Sequence, residues 1–373
     1  MADILGKVVQ TIHERQLADA DNPVLLMVSG GSDSTALAYL ASELQAQGEL
    51  GQVALLHVNH HLRGKDADDD AAFVQHLAEV LDLPFFLVDV DVAGQAKETG
   101  ENLEAIGRRE RYASASDALS RFCLHLSVPL SFGRVFTAHT QDDRVESFYM
   151  RSIVGTGPGG FRSMLYRNGP VVRPLLDVSR DDLREYIRER DAADDADRPV
   201  VHDGEGNLWR EDATNAHTDR FRAFVRHEIV PLAKQRNPQL LDTLCRSMNL
   251  VGDEDDMLDV QANEMMERVV SWTDRTEPNK AVDWADGCVL LPLFGTLPLP
   301  MQRRVAFQTL QLILGGDARV ETSAVTAITN GFADGKPISG YTGNIQGNLA
   351  LSANKQGLRI EPMSAYRSRR KQD

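Results

Sequence analysis

Cysteine is scarce and scattered in this chain of 373 residues, which has only Cys123, Cys245 and Cys288. None belongs to a C-x-x-C pair, which argues against a structural zinc site, an iron–sulfur cluster or a disulfide framework and fits a reducing compartment. No apolar run is long enough to span a bilayer, and Met1 to Lys7 contain no sustained apolar core of the kind a signal sequence needs. These absences imply a soluble, unprocessed, cytoplasmic chain with no membrane partner. Basic residues are also in deficit, 40 against 55 acidic ones, for a formal net charge of −15. Phosphate contacts with nucleic acid normally come from clustered Lys and Arg, so the total charge works against such a partner. Local distribution matters more. Acid gathers at Asp66 to Asp70, Asp191 to Asp197 and Asp253 to Asp256, whereas Arg220, Arg222, Arg226, Lys234 and Arg236 form a basic stretch. A second basic stretch, Arg367 to Lys371, reads most simply as a solvated end.

A Walker A loop is missing too, because no lysine lies between Ser29 and Ser34. That stretch, Ser29-Gly30-Gly31-Ser32-Asp33-Ser34, follows the apolar run Val24 to Val28 and precedes a helical pattern that begins at Thr35. The order reads as a strand, a tight turn and a helix start. Two glycines let backbone N–H groups approach a ligand, the serine hydroxyls add donors, and the helix N-terminus adds partial positive charge. An ordinary Gly-Ser turn is the plain alternative. Asp33 favours a ligand. A carboxylate in an anion cradle repels phosphate unless a divalent cation intervenes, so Asp33 reads as a direct or water-mediated partner of Mg²⁺ bridging the leaving phosphates. The pattern S-G-G-x-D-S after a buried strand resembles the PP-loop of the ATP pyrophosphatases, enzymes that join AMP to a substrate oxygen and release pyrophosphate.

Gln52 to Asn59, Phe85 to Val92 and Arg134 to Ala138 read as further strands, with a helix over Asp66 to Leu81. Strand alternating with helix predicts an α/β fold, a doubly wound parallel sheet whose ligands bind at the carboxyl ends of the strands. His57-Val58-Asn59-His60-His61-Leu62-Arg63 closes the second strand at that rim. A hydrogen-bonded turn is the plain reading, and no cysteine or carboxylate ligands stand nearby to suggest zinc. Together with the serine loop, this segment resembles the H-V-N-H-x-L-R stretch of the tRNA(Ile)-lysidine synthetases.

Further segments follow in that family's order. Glu104 to Tyr112 resembles E-A-x-A-R-x-x-R-Y, with Gly107 in place of the usual alanine; Arg108 and Arg111 share a helical face that can meet phosphate or simply solvent. Thr137 to Ser147 resembles A-H-x-x-D-D-x-x-E-T. There Asp143 and Glu146 put two carboxylates on one helical face, where they could hold a substrate ammonium. A helix capped by Asp142 or Asp143 is an equally simple reading, and the two are compatible. Gly155 to Met164 resembles the family's glycine-rich loop, and Arg173 to Leu176 its R-P-L-L, followed by Ser179 as an N-cap and Arg180 at a helix start. Glu211 to Asn215 and Arg222 to Arg226 resemble E-D-x-(S/T)-N and R-N-x-I-R, with Ala223 where the family usually has asparagine. The acidic stretch from Arg190 to Leu208 reads as a solvent-exposed insertion.

The resemblance covers Val24 to Leu232 and implies a ligase that uses ATP and Mg²⁺. Its RNA substrate would be tRNA(Ile) with a CAU anticodon, whose wobble cytidine is adenylated and then joined to free L-lysine at carbon 2. It implies catalytic roles for Asp33, Arg108, Asp143, Glu146 and Arg222. Nucleotide contacts would come from Ser29, Gly30, Gly31, Ser32, Asp33, Ser34, His57, Asn59 and His139, with Asp33 also on the metal. Residues 1–217 would form the PP-loop ATP-binding domain, 218–238 a linker helix, 239–362 a smaller mainly helical domain and 363–373 a basic tail. Within the last domain, helical periods run over Leu240 to Val270, Pro300 to Leu314 and Ser323 to Gly331, and a β-hairpin over Asn348 to Ile360. A homodimer is left open. Two other readings stay open as well: a PP-loop tRNA thiolase, which would be expected to carry paired cysteines, and a non-catalytic nucleotide- or RNA-binding module.

Overall fold

In the computed structural model, which describes residues 3–62, 64–211, 221–273, 286–315 and 318–371, the chain begins with helix α1 (Ile4–Glu14). Asp3 caps it by accepting the Gly6 N–H at 2.8 Å. Then come β1 (Val24–Met27), α2 (Ser32–Ala46), β2 (Val53–Asn59), α3 (Lys65–Val80), β3 (Phe85–Asp89), α4 (Val92–Thr99), α5 (Leu103–His125), β4 (Arg134–Thr137) and α6 (Gln141–Val154). The two-residue strands β5 (Arg167–Asn168) and β6 (Val171–Val172) precede α7 (Arg180–Ala192). After α8 (Phe221–Phe224), a π-helical turn leads into α9 (Val230–Arg236) and then the long α10 (Leu240–Val269). Arg63, Asp212, Asn215 and Arg220, which the sequence motifs include, lie outside the described residues.

The first sheet has the order β3-β2-β1-β4-β6-β5. All neighbours are parallel except β5 and β6, with Val24 of β1 opposite Val53 of β2 and Arg134 of β4. Burial on both faces explains the continuous apolar strands. Val24 and Leu26 pack with residues of α1, α2, α3 and α7. Leu25, with Ala54, Leu56 and Val135, packs with Ala115, Leu119 and Phe122 of α5. This is the doubly wound arrangement expected from the strand–helix rhythm. The chain winds one way from β1 to β3 and the other way from β1 to β4, so a crevice opens at the carboxyl ends of β1 and β4.

Two details of the expected elements change. Helix α2 begins at Ser32 rather than Thr35, because Gly31 already has the extended backbone of an N-cap, which places Asp33 and Ser34 in the first helical turn. The stretch from Arg190 to Leu208 is only partly exposed: Val201 is buried and donates its N–H to the Tyr39 hydroxyl at 2.9 Å.

The chain divides into the units Met1–Val251 and Gly252–Asp373. The second adds β7 (Val270–Trp272), β8 (Cys288–Leu290), α11 (Leu299–Leu314), α12 (Thr322–Thr329), β9 (Phe332–Ala333), β10 (Lys336–Pro337), β11 (Thr342–Ile345), β12 (Leu349–Asn354), β13 (Gly357–Pro362) and α13 (Met363–Arg370). Besides the expected helices and the β12–β13 hairpin, it contains a five-stranded antiparallel sheet of order β11-β12-β13-β8-β7. The basic end is helical in α13, where Arg369 bonds Glu361 and Ser352. Among the described residues, no helix is long and apolar enough to cross a membrane.

Candidate active site

The turn after β1 is built by its own hydroxyls. Ser34 donates to the Gly31 carbonyl at 3.0 Å and accepts the Ser29 N–H at 3.2 Å, while Thr35 donates to the Gly30 carbonyl at 3.2 Å. Gly30 has φ +90°, a left-handed conformation natural to glycine. Its carbonyl also accepts the Arg210 N–H at 2.9 Å, and a Cβ there would stand 3.4 Å from the Arg210 side chain. Gly31, the N-cap of α2, has no side chain to cap it, so the helix N-terminus turns backbone donors and a positive dipole end toward the crevice. The arrangement suits an anion.

The turn after β4 supplies opposite charge. Thr140 is the N-cap of α6, in place of the Asp142 or Asp143 expected from sequence. Asp143 is instead the third helical residue and completes a capping box: its Oδ2 accepts the Thr140 N–H at 2.8 Å and hydroxyl at 3.1 Å. Glu146, one turn on, is nearly fully buried. Burial opposes the Asp143 charge, but the guanidinium groups of Arg180 and Arg222 and the Thr140 N–H outweigh it and hold the carboxyl below its usual range.

Three arginines bind these carboxylates. Arg222 donates to Glu146 Oε2 and Asp143 Oδ1, both at 2.8 Å, and Arg226 donates to the two Glu146 oxygens at 2.6 and 3.0 Å. Arg180, at the start of α7, joins the two turns: its Nε donates to Asp33 Oδ2 at 3.0 Å and its Nη2 to Asp143 Oδ1 at 3.3 Å. Burial pushes the Asp33 carboxyl up, and Arg180, shared with Asp143, pulls it back only in part. Arg180 itself resists deprotonation: burial disfavours its charge, but Asp33 and Asp143 more than compensate.

The remaining sequence candidates surround this cluster less directly. His139 bonds the Thr137 hydroxyl through Nδ1 at 2.9 Å, and burial, helped by Arg173, Arg222 and Arg108 against the pull of Asp143, pushes it down to about 4. At neutral pH it is an uncharged ring. His57 is buried with Nδ1 2.9 Å from the Val28 carbonyl, which ties β2 to the end of β1. Asn59 spans Asp68 and the His61 N–H, a turn-stabilising arrangement. Arg108 stacks on Tyr112, 5.0 Å from the ring centre. The structure thus brings Asp33, Asp143, Glu146 and Arg222 into one ion-pair cluster and leaves Arg108, His57 and Asn59 outside its direct bonds. Arg180 is the member that the motifs undervalue, because a helix-start arginine after an N-cap serine gives no sign of its long-range partners.

Among the described residues, no three His, Cys, Asp or Glu side chains converge as a metal site. Asp33 is a single hard oxygen donor beside the anion-binding turn. That donor set fits a Mg²⁺ that arrives with phosphate oxygens completing its shell, and does not fit a metal held by protein alone.

Residues 4–233 match the PP-loop domain family. A tRNA(Ile)-lysidine synthase from Porphyromonas gingivalis is 35% identical over 252 residues, covering 67% of this chain and 49% of that protein. A protein of the same name from Thermus thermophilus is 37% identical over 256 residues, covering 68% and 44%. The chain spans about half the length of these curated relatives. A U34-tRNA thiolase from Methanococcus maripaludis is similar in structure at TM-score 0.48 and 15% identity, covering 66% of this chain and 78% of that one.

Proposed function

The chain belongs to the PP-loop domain family, and from that premise we propose that it is an ATP-dependent ligase that forms lysidine at the wobble cytidine of tRNA(Ile) with a CAU anticodon. One observation carries the reading: two buried carboxylates, Asp143 and Glu146, stand at the same sheet crevice as the anion-binding turn and are tied to it through Arg180. A site for a substrate cation beside a site for phosphate is what joining an amine to an adenylated base requires. The relatives named tRNA(Ile)-lysidine synthase support the choice of substrates.

In the first step, the oxygen on carbon 2 of cytosine attacks the α-phosphorus of ATP, and the bond to pyrophosphate breaks. Ser29 to Ser34 receive the phosphates through backbone and hydroxyl donors, and Arg222, with Arg108 nearby, offsets the charge that develops. Mg²⁺, when bound with ATP, supplies further charge neutralisation next to Asp33. His139, neutral at working pH, serves as a hydrogen-bonding neighbour, and His57 and Asn59 shape the rim. In the second step, Asp143 and Glu146 hold the lysine ammonium, and one of them takes its proton. The free amine attacks carbon 2, the carbon–oxygen bond breaks, and AMP leaves.

The cysteines disfavour a thiolase. All three are buried, burial pushes the Cys245 thiol up to about 12, and Cys123 and Cys288 are also raised. A cytoplasmic location and a homodimer belong to the same proposal, and light scattering reads the assembly. The test of the chemistry uses ATP labelled at the α-phosphorus. Without lysine, label should move to the tRNA; with lysine, it should appear as AMP. Pyrophosphate release that needs neither tRNA nor lysine would overturn the reading.

A further inference from the structure

Three guanidinium groups, Arg180, Arg222 and Arg226, meet three carboxylates, Asp33, Asp143 and Glu146, so the formal charges of the cluster cancel. In this arrangement every carboxylate already has a cation. The two oxygens of Asp143 are not equivalent: Oδ2 is held by the capping box of α6, whereas Oδ1 accepts from the side chains of Arg180 and Arg222 and has Arg226 Nη2 at 3.7 Å. An ammonium group seeking Asp143 must therefore compete at Oδ1. Among the described residues, Arg180 alone pairs with both Asp33 and Asp143.

The main chain of Arg180 is fixed. Its N–H donates to Asp142 Oδ2 at 2.8 Å, and Leu183 and Ile187 of the same helix are fully buried in the core shared with α2. Any rearrangement is thus confined to the long side chain. A nucleotide entering beside Asp33 brings several negative charges, and its cation competes for Asp33 itself. Both effects draw the guanidinium toward phosphate and leave Asp143 Oδ1 short of positive charge. A lysine ammonium then meets Asp143 Oδ1 with one guanidinium fewer, where it replaces the charge of Arg180 beside Arg222 and Arg226.

We infer that Arg180 is a positioning residue that couples the nucleotide turn to the amine-binding carboxylates, releasing Asp143 for lysine when the phosphates are in place. The inference rests on the lysine-ligase reading and adds to it an order of binding, nucleotide before amine. Coupling between two sites is reciprocal and commonly spans about 5- to 150-fold in affinity.

The experiment is calorimetric titration of L-lysine into the protein with and without α,β-methylene-ATP and Mg²⁺, on wild type, Arg180→Gln and Arg180→Lys. Wild type should bind lysine at least about tenfold more tightly with the nucleotide present, and lysine should strengthen nucleotide binding by the same factor. Arg180→Gln should bind lysine with equal affinity in both states, and more tightly than wild type when nucleotide is absent. Arg180→Lys keeps the charge but has no fork to span two carboxylates, so its coupling should fall at least about threefold. That variant carries the test if the thermal midpoint shows Arg180→Gln to be unfolded. Wild-type lysine affinity indifferent to nucleotide, or full coupling in a folded Arg180 variant, overturns the inference and leaves the ligase reading intact. Absence of lysine binding to wild type even with nucleotide removes the ligase reading and this inference with it.

Discussion

Glu146 has both oxygens engaged, by Arg222 and Arg226, and is nearly fully buried, so its charge serves the fold as well as any ammonium ligand. Glu146→Gln should raise the lysine requirement tenfold or more and also cost about 1.5–3 kcal/mol of stability from weakened charged hydrogen bonds. Lysine-dependent AMP release and urea unfolding measure the two separately; unchanged lysine dependence would leave Glu146 as a purely structural anchor. Asp33→Asn keeps the shape but not the charge, and tRNA-dependent pyrophosphate release should be lost. A wild-type rate at limiting Mg²⁺ would refute a metal role for Asp33. His139 gives a pH signature. Its folded value of about 4 lies below the ordinary 6.5, so the unfolded chain takes up the proton first as pH falls. The stability it contributes is complete above about pH 6.5 and is lost toward pH 4, by roughly 2–3 kcal/mol. Urea midpoints of wild type and His139→Gln at pH 7 and 4.5 should show a smaller acid loss in the variant. Asp33, Asp143 and Glu146 are legible in the sequence because their chemistry follows from local spacing within a motif. Arg180 is not, since its partners lie 147 and 37 residues away and only the fold brings them together.

Helix α2 follows the Ser29–Ser34 turn and is braced at its other end by Glu43. That carboxylate accepts Tyr186 and Arg198, each at 2.8 Å, and pairs with the buried Arg190, whose guanidinium also stacks 4.6 Å from the Tyr39 ring centre. Glu43→Ala strands a buried guanidinium, and the expected loss is about 3 kcal/mol. Chemical unfolding checks this, while nucleotide affinity well below the midpoint should stay close to wild type; a loss under 1 kcal/mol would show that α7 holds without the clamp. Acidic composition made the stretch after α7 look like a solvated insertion, but Arg198 and Val201 fasten it to α2. The strand–helix rhythm is legible because continuous apolar residues mark β1 (Val24–Met27) and the first four residues of β2, while β4 shows only Val135 and Phe136. Within the basic stretch from Arg220 to Arg236, whose composition suits phosphate, Arg222 and Arg226 bond the carboxylates of α6. Charge reversal at those two positions would therefore disrupt the site before it tested RNA docking.

The two units differ in how far they can be read. The first, Met1–Val251, follows a recurring topology whose crevice position is set by strand order. In the second, Gly252–Asp373, the helices and one hairpin are visible in the sequence, but β7 and β8 are three residues each, and β11 reads Thr-Gly-Asn-Ile. Such short or polar segments acquire their identity from pairing, which local pattern does not reveal. A formal charge of −15 means that any RNA contact must rely on local basic surface, and binding should weaken steeply as salt is raised. The decisive measurement is on the product. The protein is incubated with ATP, Mg²⁺, L-lysine and unmodified tRNA(Ile) bearing a CAU anticodon, and the RNA is digested and its nucleosides weighed. A cytidine heavier by lysine less one water, formed only when ATP and lysine are both supplied, is the expected result. Unmodified cytidine under these conditions, or a sulfur-bearing nucleoside, would contradict it.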